Sequence, residues 1–177
     1  NTGGDAGQNE RPTQRRGAWR QNGRHAAFTR ATSTGAEVCL IHAIERDRIP
    51  ELWGEVVPLV NRALEHAQGE FTSTDILQFL LSRDMQLWIA KSDRIMGMAI
   101  TQIVNYPRLR SVRVVLLAGD DALDNWLQPL GNTVESWARQ VGATRVEESG
   151  RDGWIRIGQK YGYTKAYTLM FKNLGGI

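Results

Sequence analysis

The chain has 177 residues, and 41% of them are hydrophobic, which is enough to build the core of one folded domain. It has a single cysteine, Cys39, which excludes an intramolecular disulfide and a zinc site built from cysteines. No apolar run approaches the ~18 residues of a membrane span, and no apolar signal segment stands at the N-terminus. We therefore expect a soluble, cytoplasmic protein that does not bind a membrane.

The net charge of +3 is concentrated at the N-terminus. Residues 1–36 carry six arginines and two carboxylates, whereas the rest of the chain is close to neutral. The segment is rich in Gly, Thr, Gln and Asn and has neither helical nor strand periodicity. We predict a basic, flexible arm over residues 1–37 before a folded domain at residues 38–177. Such an arm is either a plain tail or a segment that binds a partner subunit of an oligomer or a nucleic acid.

The first half of the domain predicts a strand, two helices and three strands. Residues 38–44 form the opening strand, and apolar spacing from Ile49 to Ala67 predicts a helix that Pro58 kinks or splits. The stretch from Thr72 to Asp75 resembles a capping box and begins a second helix. Alternating and apolar runs then predict strands at residues 85–90, 95–104 and 111–117, the first two joined as a hairpin. The apolar run 114–117 is typical of a central strand covered on both faces.

The second half predicts a helix, a strand, a helix and a final strand. The long helix covers residues 124–141, is broken or begins near Pro129, and stops at Gly142. A short strand at 144–148, a helix at 152–161 and a closing strand at 164–172 follow. The predicted order is β α α β β β α β α β, which belongs to the α/β class.

This order resembles the GNAT superfamily of acyl-CoA-dependent N-acyltransferases over residues 38–174. The resemblance is strongest in WIRIGQKYGY at residues 154–163, where Gly162 ends a helix before the last strand. It implies a mixed, mostly antiparallel central sheet with helices on both faces. It also implies transfer of an acetyl group from acetyl-CoA to a primary amine of a small molecule or a protein.

A second resemblance is to GNAT-like proteins encoded among the virion-assembly genes of tailed bacteriophages. It rests on residues 69–72, 85–90 and 150–154. It implies an alternative function, in which a catalytically inactive GNAT-like domain is a structural or docking module of a virion. The arm would then bind a partner subunit or nucleic acid, and the protein would be found in the host cytoplasm and the particle.

The cofactor-binding signature of the superfamily is altered in this chain. GNAT enzymes hold the pyrophosphate of CoA on backbone N–H groups of a loop with the pattern Arg/Gln-x-x-Gly-x-Gly/Ala at a helix N-terminus. The corresponding residues 118–126 include one glycine, no arginine, and the carboxylates of Asp120, Asp121 and Asp124. Carboxylates at this place repel a polyanion. The remaining candidates for cofactor binding are Leu117, Ala118, Gly119, Asn125 and Arg151.

The expected proton donor is also missing. The resemblance implies a tyrosine four residues before Gly162, where this chain has Gly158, so Tyr161 and the nearby Tyr163 are the candidate substitutes. A base for the amine could come from the strand at residues 144–148, where alternation sends Glu147 and Glu148 to opposite faces and only one can face a cleft.

Our catalytic candidates are Tyr161, Glu147 and Asp120. The three histidines, His25, His42 and His66, lack the spacing of metal ligands, so we expect no metal.

Overall fold

The computed structural model describes residues 39–120, 122–150 and 152–175. The basic arm predicted at residues 1–37 lies outside these ranges. The elements are β1 (Leu40–Ile44), a 3-10 turn (Arg46–Arg48), α1 (Ile49–Leu64), α2 (Ser73–Ser82), β2 (Gln86–Lys91), β3 (Ile95–Asn105), β4 (Arg110–Gly119), α3 (Leu123–Gln140), β5 (Arg145–Glu148) and α4 (Asp152–Lys160).

One five-stranded sheet runs through the domain in the order β1-β2-β3-β4-β5. Neighbouring strands are antiparallel except β4 and β5, which are parallel because α3 crosses between them. Helices α1 and α2 pack on one face, and α3 and α4 on the other. The predicted class, an α/β fold with a mixed and mostly antiparallel sheet, is confirmed. No helix among the described residues combines the length and the apolar character needed to cross a bilayer.

The core has one part on each face of the sheet. On the first face, Val56 and Val60 of α1 and Ile76 and Leu80 of α2 are fully buried against the strands. On the second face, Trp126 of α3 is 0% exposed and lies directly on the backbones of two glycines. A Cβ at Gly97 would stand 2.4 Å from the indole, and one at Gly119 would stand 2.1 Å from it. These two strand glycines therefore provide the space for the tryptophan.

The split expected at Pro58 and the break or start expected near Pro129 do not occur. Helix α1 is continuous through Pro58, and α3 is continuous from Leu123 through Pro129. Both Pro58 and Gly54, whose carbonyl loses its helical partner to the proline ring, lie on the exposed side of α1, where water can hydrogen-bond to that carbonyl. Packing of the buried face on the sheet keeps the helix intact.

The closing strand predicted at residues 164–172 is also wrong, because this segment pairs with no strand. Its side chains stay in solvent, with Tyr167 and Leu169 each 76% exposed and Met170 87% exposed. A cavity of about 560 Å³ separates the segment from β5. Strand β5 has only four residues and offers a short edge for pairing.

Candidate active site

The candidate site is the opening where β4 and β5 part. The two strands pair from Ser111 and Arg145 up to Val114 and Glu148, where β5 ends. Strand β4 continues for five more residues to Gly119 without a partner on this side. Helices α3 and α4 flank the opening and enclose a cavity of about 230 Å³.

A β-bulge in β4 determines which of its side chains face this cavity. Thr101 of β3 pairs with Val114 and Ile100 pairs with Leu116, so Val115 is an extra residue. The extra residue reverses the alternation of the strand. Val114 and Leu117 consequently both line the cavity, whereas Leu116 packs into the core on the opposite face. The continuous apolar run in the sequence thus serves two faces.

Glu148 is the carboxylate that faces the cavity. It is the last residue of β5 and lines the opening together with Trp154 and Tyr163. Burial raises its pKa above the ordinary value of a glutamate. The pKa of the Tyr163 phenol is raised as well, first by burial and then by the negative charge of Glu148. The cavity therefore favours neutral forms of both groups.

Glu147 points to the opposite face, as strand alternation predicted for one of the pair. Its Oε1 accepts hydrogen bonds from the Tyr106 hydroxyl at 2.9 Å and from Arg113 at 2.8 and 3.0 Å, and its Oε2 accepts one from Arg145 at 2.9 Å. Burial disfavours its charge, but these hydrogen bonds outweigh that effect and hold the pKa of Glu147 below its ordinary value. A carboxylate held in this way is a poor base.

Asp120 is occupied by structural contacts at the start of α3. Its carboxylate accepts hydrogen bonds from the Trp126 indole at 3.1 Å, from the Ala122 N–H at 3.2 Å and from Arg94 at 2.9 Å. Arg94 also forms an ion pair with it, and the Arg62 guanidinium donates to the Gly119 carbonyl. The sequence suggested an acidic loop, but the charge of Asp120 is paired and two arginines lie beside it.

The other sequence candidates are distributed around the opening. Leu117 and Tyr161 line the cavity. Ala118 packs into the core on the opposite face, and Asn125 is exposed in the first turn of α3. Gly119 lies under Trp126, and Arg151 falls outside the described residues. Among the residues that the structure describes, no cluster of His, Cys, Asp and Glu is arranged to hold a metal ion.

Solved structures share this overall architecture. An aminoglycoside acetyltransferase from an uncultured soil metagenomic sample, solved with sisomicin, matches with a TM-score of 0.62 and 12% identity over 77% of this chain and 97% of its own. A ribosomal-protein-alanine N-acetyltransferase from Brucella melitensis biovar Abortus 2308 matches with a TM-score of 0.62 and 12% identity over 78% and 100%. The chain has the GNAT acetyltransferase fold.

A third neighbour carries a cofactor. A predicted acetyltransferase from Clostridium acetobutylicum, solved with acetyl-CoA, matches with a TM-score of 0.59 and 11% identity over 77% of this chain and 97% of its own. At such identities the likeness establishes the GNAT fold and nothing further. No family model and no curated protein matches the sequence.

Sequence reasoning identified Glu148 only as one of two alternatives. The alternation of β5 separated Glu147 from Glu148, but the choice between them depends on which face of β5 meets α4. Glu147 is a poor candidate for the base because it is hydrogen-bonded to Arg113 and Tyr106. These contacts arise from the pairing of β4 with β5 and from a turn more than 40 residues earlier in the chain. No local pattern in the sequence reports this arrangement.

Proposed function

We propose that this protein is an N-acyltransferase that moves an acetyl group from acetyl-CoA to a primary amine at the opening between β4 and β5. The observation that carries the proposal is the parting of the strands after Val114 and Glu148 into a cavity on the face covered by α3 and α4. A cleft in this place of the fold is where a linear thioester and an amine can meet.

The free edge of β4 supports the binding of a chain that contains amides. Beyond Val114 the backbone N–H and C=O groups of β4 have no strand partner on the side of β5. An extended chain with peptide-like groups can pair with such an edge as a further strand would. Leu117, Leu127 and Trp154 supply apolar walls beside this edge.

Positive charges near the cleft fit the phosphates of CoA, even though the glycine-rich signature is absent. Arg62 contacts the loop at Gly119, Arg94 is paired with Asp120, and Lys160 lines the cavity. The loop leads into the N-terminus of α3, where backbone N–H groups favour an anion. Because Asp120 is already paired with Arg94, its repulsion of phosphates is reduced.

Acetyl-CoA supplies a thioester whose carbonyl carbon accepts the amine. The chain contributes positioning, since holding two reactants in contact provides a large part of the rate in such transfers. Trp154 and the apolar side chains of β4 and α3 also line the cavity, which reduces the contact of the reactants with water.

Isothermal titration calorimetry with acetyl-CoA tests the proposal, and two glycine variants make it specific. Gly131 lines the cavity from α3 with open space where a side chain would begin, so Gly131→Leu fills the cavity without a backbone clash. Gly54 has similar open space but lies on the exposed side of α1, so Gly54→Leu is the matched control. We expect the wild type and the control to bind acetyl-CoA alike, and Gly131→Leu to bind at least about tenfold more weakly.

The class of acceptor is then tested by measuring thiol release from acetyl-CoA in the presence of an aminoglycoside, or of a peptide with an N-terminal alanine.

Absence of binding at millimolar acetyl-CoA refutes the acyltransferase proposal. That result favours the alternative of an inactive docking module, for which the exposed apolar segment at residues 167–174 would be the contact surface. The resemblance to phage virion-assembly proteins stays a prediction.

A further inference from the structure

The space above Gly158 contains a carboxylate. Gly158 is the buried residue of α4 at the position where the resemblance implies a tyrosine. A Cβ built on Gly158 would lie 2.9 Å from Glu148 Oε1 and 3.4 Å from Tyr163 Cβ. The missing side chain and the position of the carboxylate are therefore linked, since any larger residue at 158 would displace Glu148.

Glu148 has no structural task that would explain its place. It has no hydrogen-bond or ion-pair partner in the ranges that the structure describes, whereas the neighbouring Glu147 has three. A half-buried carboxylate without a partner costs stability, and groups kept at such a cost are enriched at functional sites.

We propose that Glu148 is the catalytic group that transfers protons in this cleft, in place of a tyrosine at position 158. The inference rests on the proposed acyltransferase function. Its geometric basis is that Glu148 closes the end of β5 where the strands part, lines the cavity, and occupies the space left by Gly158.

The surroundings of Glu148 favour its protonated form. Burial raises the pKa of this carboxyl, which keeps more of the acid available at a given pH. Glu135 faces the cavity from α3, and Tyr163 faces it from the segment after α4. Lys160 and Tyr161 line it from the end of α4, and Lys160 is the only cation among the described residues that line this cavity.

One carboxyl can serve both proton transfers of the reaction. The amine nitrogen bonds to the thioester carbon, and the C–S bond breaks. The Glu148 carboxylic acid gives its proton to the departing thiolate sulfur, and the resulting carboxylate takes the proton that the nitrogen loses as the amide forms. The products are the amide and the free thiol, and Glu148 is again protonated, so no external acid or base is consumed.

Three variants of the full chain test the role of Glu148. Glu148→Gln keeps the shape of the side chain and removes its proton chemistry. Gly158→Ala keeps the Glu148 side chain but displaces its carboxyl group, and it should fold well because alanine is a better helix former than glycine. Glu147→Gln is the matched control, being the adjacent glutamate on the opposite face of β5. The assays are calorimetry with acetyl-CoA, thiol release from acetyl-CoA with glycinamide as acceptor across pH, and ¹³C NMR titration of the glutamate carboxyls.

We expect Glu148→Gln and Gly158→Ala to bind acetyl-CoA within about threefold of the wild type, and to lose roughly 10²-fold or more in kcat. Only the wild type and the control should show the carboxyl that titrates above the ordinary glutamate range, and its midpoint should shift when acetyl-CoA is added. Glu147→Gln should keep the kcat and the pH profile of the wild type.

The possible failures of the two proposals are distinguishable. If the wild type does not bind acetyl-CoA, the function itself is wrong and the role of Glu148 is refuted with it. If acetyl-CoA binds and thiol is released, but Glu148→Gln keeps both kcat and the pH profile, only the role of Glu148 is refuted. If acetyl-CoA binds without turnover of glycinamide, the NMR titration decides, and a Glu148 carboxyl that titrates in the ordinary range and does not respond to acetyl-CoA overturns the inference.

Discussion

Gly97→Ala should strongly destabilise the domain through a single atom. The new Cβ would stand 2.4 Å from Trp126 Cε3, whereas carbon atoms in contact normally lie about 3.5 Å or more apart. The indole would have to move by roughly 1 Å, and it is 0% exposed, so the space on its far side is already filled. Movement would also strain the 3.1 Å hydrogen bond from the indole N–H to Asp120. We place the cost near the top of the range for overpacked cores, at about 3 kcal/mol.

Urea unfolding followed by circular dichroism measures this cost, and Gly54→Ala is the matched control. The same methyl group at Gly54 meets no atom within 4 Å and lies inside α1, so helix propensity predicts a gain of about 0.8 kcal/mol. The two variants should therefore move the unfolding midpoint in opposite directions with unchanged m values. For a domain of this size, the loss at Gly97 corresponds to a Tm lower by roughly 10 °C. If Gly97→Ala unfolds within about 0.5 kcal/mol of the wild type, Trp126 is not held against the sheet as described.

Three further substitutions test local features. Thr72→Ala removes the capping box of α2, in which the Thr72 hydroxyl accepts a hydrogen bond from the Asp75 N–H at 3.2 Å. Thermal unfolding of this variant should show a Tm lower by about 3 °C. An unchanged Tm would mean that the capping box does not contribute to stability. Glu147→Gln should cost about 1 kcal/mol at pH 7, since its arginine partners stay half exposed. Because the pKa of Glu147 is lowered by folding, urea titrations should show this difference vanish as the pH falls below about 4, and a difference independent of pH would contradict the ionic origin. Folding raises the pKa of Glu148, so the wild type loses stability as the pH rises from about 4 through the folded pKa. Glu148→Gln should therefore be more stable than the wild type at pH 7 and equally stable in acid. A variant that is less stable than the wild type at pH 7 would contradict the burial of Glu148.

The features that the sequence predicted well depend on neighbouring residues. The capping box could be predicted from the sequence because its two partners, Thr72 and Asp75, are only three residues apart. Helix α2 begins within one residue of the predicted start. The hairpin of β2 and β3 was visible from a short polar segment between two apolar runs. Together with the periodicity of α1 and α3, these local signals were enough to predict the order of elements up to α4.

The failures depend on distant parts of the chain. Residues 164–172 were predicted to be a strand, but pairing requires an available edge of sufficient length, and β5 does not supply one. Pro58 was expected to kink or split α1, but α1 is not split there, because the buried residues Val56 and Val60 hold the helix on the sheet. The same limit applies to the site, because Asp120 was a plausible base until its contacts with Arg94 and Trp126 were known.

The extra residue in β4 gives this strand one position where its length can change without turning the strand over. Val115 has no partner on β3, and it allows Val114 and Leu117 to face the cavity while Leu116 packs on the opposite face. Deleting Val115 would remove the bulge and restore regular alternation, with Leu116 still facing the core and Leu117 still facing the cleft. A one-residue deletion elsewhere in β4 has no extra residue to absorb it and would turn part of the strand over. Variants of this protein should accordingly accept the loss of one residue at the bulge, but not in the regular part of the strand.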